Sequence, residues 1–119
     1  MSYKSYEQSL RAAKYILQMR PVFNGDALFS DETENYVSPM EPKPGDTVTI
    51  RFRTGRDNVD TVYLISRPLK KQMDLERHEE FFDYYVTQIQ LGEEALRYFF
   101  EIKSGKMHCF YNKMGVTRD

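Results

Sequence analysis

From residue 47 onward the sequence runs with a period of two. In "DTVTIRFRT", Val48, Ile50 and Phe52 share one parity, and Thr47, Thr49, Arg51 and Arg53 share the other. Successive side chains on a strand point to opposite faces, so this segment is a half-buried strand with one wet face. "EPKPGD" ahead of it holds Pro44-Gly45, which suits a type II turn. Proline presets the first central position and glycine accepts the positive φ of the second. Upstream, Asn24-Gly25 is a further turn signal, and "ENYVSP" reads as a short strand ended by Pro39.

After the "GRDN" turn, "VDTVYLIS" (59–66) is a more continuously apolar strand, expected to be covered on both faces. Residues 67–80, "RPLKKQMDLERHEE", read as a charged loop or a short helical turn. Residues 82–91 and 95–103 then read as a hairpin across "GEEA". Leu96, Tyr98, Phe100 and Ile102 form the core parity of its second strand. Tyr85, Thr87, Ile89 and Leu91 form that of the first. This register sets Ile89 opposite Tyr98 and Tyr85 opposite Ile102, with Gln90 by Arg97 and Tyr84 by Lys103 outside. It also leaves Phe82, Tyr84 and Phe99 together on an outer face. "KMHCFYNKM" after Gly105 is a last, weakly alternating strand. Short strands with turns every eight to twelve residues, and no βαβ repeat, predict an all-β antiparallel sandwich.

The first segment differs. Ser5 and Gln8 offer a capping box; Tyr6, Leu10, Ala13, Ile16 and Leu17 recur at helical spacing, and Pro21 ends the run. The expected organisation is residues 1–28 as helix and connector and residues 29–119 as sandwich. The helix docks on the sandwich, serves a partner, or is an appendage left mobile in isolation.

Length and composition narrow the function. The 119 residues suffice for one core. The net charge of −1 carries no basic run, and the aromatics are not interleaved with Lys and Arg along the chain, so no nucleic-acid partner is expected. No segment has the length or hydropathy to span a bilayer, and the start lacks an apolar leader-type stretch. Cys109 is alone, which suits a reducing compartment, and a cytoplasmic location is the expectation.

No metal or cofactor is expected. His78 and His108 are distant in sequence, one cysteine cannot furnish a structural zinc set, and Asp26, Asp31, Glu32 and Asn35 lack the calcium-loop spacing. His108 and Cys109 fall on opposite strand faces and make no nucleophile–base pair. Glu76, Glu79, Glu80 and Asp83 read as a solvated charged face.

Taken in order, "ENYVSP", "TVTIRFRT", "VDTVYLI", "FDYY" (82–85) and "LRYFFEI" (96–102) resemble the N-terminal immunoglobulin-like domain of neopullulanases, cyclomaltodextrinases and maltogenic amylases. That domain is also called a family 34 carbohydrate-binding module. The resemblance spans roughly residues 34–116. It implies an immunoglobulin-like sandwich, an α-glucan or maltooligosaccharide ligand, and a non-catalytic role beside a catalytic barrel. A barrel alone needs about 250 residues and does not fit in this chain. A homodimer is a further implication of the resemblance. Where family members carry an Asp and a Tyr after the third of these segments, this chain has Arg67-Pro68-Leu69. The candidate sugar-contacting rings are Phe82, Tyr84 and Phe99, with Tyr36 and Tyr111 near strand ends. The competing reading of the outer strip is packing against the helix or the barrel.

Overall fold

The structure, a computed structural model, describes residues 22–117. The expected helix over residues 5–19 lies outside them. After a 3-10 turn at Gly25–Ala27, the described residues form β1 (Val37–Ser38), β2 (Thr47–Gly55), β3 (Thr61–Ser66), β4 (Leu69–Gln72), β5 (Asp74–His78), β6 (Phe82–Gln90), β7 (Phe99–Ser104), β8 (Met107–Asn112) and β9 (Gly115–Thr117). These make two antiparallel sheets, one ordered β1-β2-β6-β5 and the other β4-β3-β7-β8-β9. The predicted all-β sandwich is the observed architecture.

The alternation of β2 holds. Val48, Ile50 and Phe52 are fully buried, and Thr49, Arg51 and Arg53 line the outer face. The turn before it forms as expected. Gly45 takes a φ of 89°, and the Asp46 N–H donates to the Lys43 carbonyl at 3.0 Å. Asn24 caps the 3-10 turn by accepting from the Asp26 N–H at 3.0 Å. Its own N–H donates to Asn58 Oδ1 at 2.7 Å, which ties the entering chain to the β2–β3 turn.

Three local expectations are corrected. The hairpin of residues 82–91 with 95–103 does not form. β6 pairs with β2 (Ile89 with Val48, Tyr85 with Phe52) and with β5, whereas β7 pairs with β3 and β8 (Phe100 with Leu64, Ile102 with Cys109). Tyr85, Thr87, Ile89, Phe100 and Ile102 are buried as predicted, but they meet across the sandwich rather than along one sheet. Alternation fixes which face is apolar and leaves the partner strand open. Two strands in opposite sheets satisfy the same pattern as two in a hairpin. The segment after β6 is held at the far end of the sandwich by Leu91, whose N–H and carbonyl bond Asp46 and Gly45 at 2.8 Å each. From there the chain crosses to the second sheet.

Residues 67–80 are two strands, not a loop or helical turn. β4 and β5 are exposed at every position, so no apolar period marks them. They form because backbone groups of β3 and β6 offer free ladder positions. Met73, 2% exposed, is the one side chain between them that enters the core as the chain passes from one sheet to the other. β3 is covered on one face only. Val62 and Leu64 are fully buried, while Tyr63 and Ile65 stay half exposed, with Lys70 and Lys103 ammonium groups over the Tyr63 ring at 4.6 and 5.5 Å.

Candidate functional site

The five candidate rings divide among three places, because β6 and β7 belong to opposite sheets. Phe82 and Tyr84 lie on the outer face of the first sheet, and Tyr36 joins them there. Phe99 lies on the outer face of the second sheet. Tyr111, on β8, turns inward, with its centroid 5.4 Å from Phe52 and 6.5 Å from Phe100. Its parity explains this: Tyr111 pairs with buried Phe100, so it packs beside the core while staying partly exposed.

Tyr36 arrives on the first sheet because residues 33–37 form a tight turn into β1. The Tyr36 N–H donates to Thr33 O at 2.9 Å, and its carbonyl accepts from the Arg51 N–H at 2.8 Å. Phe29 meets its ring edge-on at 5.2 Å. Tyr36 and Tyr84 share a hollow of about 410 Å³ with Glu34, Asn35, Arg51 and Arg77. Burial pushes the Tyr36 phenol up, and the neighbouring Tyr84 hydroxyl adds to this, while Arg53 opposes it.

Guanidinium groups interleave with these rings in space although not along the sequence. Arg53 lies over Phe82 at 4.2 Å and over Phe29 at 5.2 Å, and its Nε donates to Ala27 O at 3.0 Å. Arg77 lies over Tyr84 at 4.0 Å and pairs with Glu76 at 2.7 Å and Glu79 at 2.9 Å. Arg51 grips Glu76 with two forked bonds, at 2.9 and 3.1 Å. The Arg51 hydrogen bond, with the charges of Arg51 and Arg77, outweighs burial and holds the Glu76 carboxyl below its usual range. These contacts engage each guanidinium within the fold. The face therefore offers phenol hydroxyls, amide and carboxylate acceptors and guanidinium donors around partly exposed rings. That set matches a neutral ligand with many hydroxyls. The Arg77 side chain over Tyr84 is 44% exposed.

Phe99 keeps different company. Phe110 meets it at 5.9 Å, and the Arg67 guanidinium stands 5.8 Å from its centroid. Both rings border a second cavity at the end of the sandwich.

Sequence reading missed one cluster. Asp57, His78 and Asp83 bring their ligand-type atoms within 4.8 Å of one another. Asp83, placed in a solvated charged face by its neighbours, is 2% exposed. Its inward parity with Tyr85 was the available signal. One Asp83 oxygen accepts the Asp57 N–H at 2.9 Å and the other lies 2.5 Å from His78 Nδ1. Both oxygens are thus engaged in tying the β2–β3 turn and the end of β5 to β6. The remaining candidate metal acids are not among the clusters found in the described residues. Asp31 accepts from the Thr33 N–H and hydroxyl, and Glu32 pairs with Lys113.

The family model described as "Alpha amylase, N-terminal ig-like domain" matches residues 25–119. No curated protein matches the sequence. A solved structure named "Cyclomaltodextrinase" is similar with a TM-score of 0.67 and 19% identity, over 79% of this chain and 17% of that one. A maltogenic amylase from S. marinus is similar with a TM-score of 0.59 and 17% identity, over 79% of this chain and 13% of that one. At these identities the likeness concerns the fold, and this chain spans less than a fifth of either structure's length.

Proposed function

The chain belongs to the family of α-amylase N-terminal Ig-like domains, and from that membership we propose that it serves an α-glucan-degrading glycoside hydrolase of the neopullulanase or cyclomaltodextrinase type as a non-catalytic accessory domain, holding α-glucan weakly beside a separate catalytic barrel. The observation that carries the binding role is the meeting of Tyr36 and Tyr84 in one hollow, ringed by Asn35, Glu34 and two arginines. Tyr36 is buried, at 9% exposure, and Tyr84 is half exposed. A partly exposed tyrosine supplies an apolar ring face and a wet hydroxyl together, which is what a glucose ring needs. The parent enzyme works in the cytoplasm in this reading, where the fully buried Cys109 stays a thiol. Among the described residues no helix is long and apolar enough to cross a membrane.

One observation favours a second reading, a domain that only docks on the barrel or on a second copy of itself. Guanidinium groups already cover the faces of Phe82 and Tyr84. Affinity electrophoresis separates the two. In gels containing amylopectin the chain should be retarded relative to plain gels, and Tyr84→Ala should run closer to the unretarded position. Equal mobility with and without amylopectin rejects the binding role and leaves the docking one.

A further inference from the structure

A second cavity lies apart from the Tyr84 hollow. It lies where residues 91–98 cross from β6 to β7, and it occupies about 880 Å³. That volume is in the range of sites that take small ligands. Its apolar lining includes Phe99 and Phe110, edge to face on the outer side of the second sheet, with Ile65, Leu69, Leu91 and Leu96 beside them. Phe99 pairs with Ile65 on β3 and Phe110 with Glu101 on β7, so the strand ladder fixes both rings in place. Its polar lining includes Arg67, Arg97, Glu93 and Glu94.

The charges decide what fits. Two guanidinium groups and two carboxylates offset one another, so the cavity has no preference for an anion or a cation. A wholly apolar occupant would desolvate four charged groups without giving them partners. A neutral ligand with an apolar C–H face and a hydroxylated edge satisfies both walls. The geometry points to a second α-glucan contact in this cavity, with Phe99 and Phe110 as the apolar wall and Arg97, Glu93 and Glu94 bonding sugar hydroxyls. The assignment rests on the α-glucan reading of the domain and extends it to a place separate from the Tyr84 hollow. Two weak contacts on one domain raise retention on a polymeric glucan beyond what either achieves alone.

The test is an aromatic-resolved NMR titration with maltoheptaose at millimolar concentration. It is run on the unaltered chain, Tyr84→Ala, Phe99→Ala and the loop variant Glu93→Gln/Glu94→Gln. Amide dispersion is checked first, and the exposed loop variant serves if Phe99→Ala does not fold. Phe99 and Phe110 signals should shift in the unaltered chain and equally in Tyr84→Ala. Phe99→Ala should weaken the Phe110 response about tenfold, or about 1.4 kcal/mol, and leave the Tyr84 response intact. The loop variant should weaken the Phe99 and Phe110 responses severalfold. Shifts at Tyr36 and Tyr84 with none at Phe99 and Phe110 overturn the second contact and leave the first reading standing. Silence at all four rings overturns both, and equal shifts with cellohexaose overturn the assignment to α-glucan.

Discussion

Phe52 of β2 and Phe100 of β7 bring their ring centroids to 4.4 Å across the interior, one ring from each sheet. Around them Val48, Ile50, Val62, Leu64, Ile102 and Cys109 are fully buried. The contact therefore joins the sheet that carries Tyr84 to the sheet that carries Phe99. Replacing Phe100 by Ala removes this joint and leaves a cavity, at a cost of about 3–5 kcal/mol. Tyr84→Ala, on the half-open outer face, should cost about 1 kcal/mol or less. Urea unfolding of the two variants checks this. Equal losses would mean that the outer face is covered in the whole chain.

Acid should weaken the fold through Glu101. This residue is on the outer parity of β7, yet its side chain is 10% exposed, beneath Lys70 at 3.0 Å, Lys103 at 3.6 Å and His108 at 3.5 Å. Burial alone would raise its pKa. The hydrogen bond and charge of Lys70, with those of His108, outweigh burial and hold the carboxyl below its usual range. A carboxyl depressed in the folded state contributes stability that is fully present above its unfolded value. That stability is lost as the pH falls through the folded value. Melting temperature should thus fall as pH drops below the ordinary carboxylate value of 4.5. Glu101→Gln should flatten this acid limb, and an unchanged limb would contradict the assignment.

Asp83 should prove structural. Asp83→Ala leaves the Asp57 N–H and His78 without their shared acceptor at a buried position, a loss of about 1–3 kcal/mol. Hydrogen exchange should speed up at the Asp57 amide in particular. Unaltered protection there would mean that the turn is held by other contacts.

The chain should be catalytically silent. Purified to homogeneity, it should release no reducing ends from pullulan, cyclodextrin or starch. Activity that stays with the chain and vanishes when Glu76 or Asp83 is replaced would overturn the accessory role.

Legibility in the sequence followed burial. β2 was readable residue by residue because one face is fully apolar and the other polar. β4 and β5 were not, because edge strands exposed on both faces carry no period, and their formation depends on neighbours distant in sequence. The β6–β7 pairing failed for the opposite reason: both strands have a clear apolar face, and that face meets its complement equally well across a sandwich. The site inherited this error. Tyr84 was legible as an outward ring and Tyr36 as a ring near a strand end, and they line one hollow. Phe99 was legible as outward but was assigned to the wrong sheet. The inward parity of Tyr111 was hidden by weak alternation in β8, and that of Asp83 by its charged neighbours.

The central claim is weak, linkage-selective binding of α-glucan by the isolated domain. Calorimetric titration with maltoheptaose, and with cellohexaose as the linkage control, tests it most directly. The account predicts a dissociation constant on the order of 0.1–10 mM for maltoheptaose, in line with few engaged rings and a flexible ligand that loses freedom on binding. Cellohexaose should bind at least several times more weakly, and Tyr84→Ala should weaken the maltoheptaose response. No heat of binding above dilution at 10 °C and at 35 °C, with maltoheptaose at millimolar concentration, would contradict the claim.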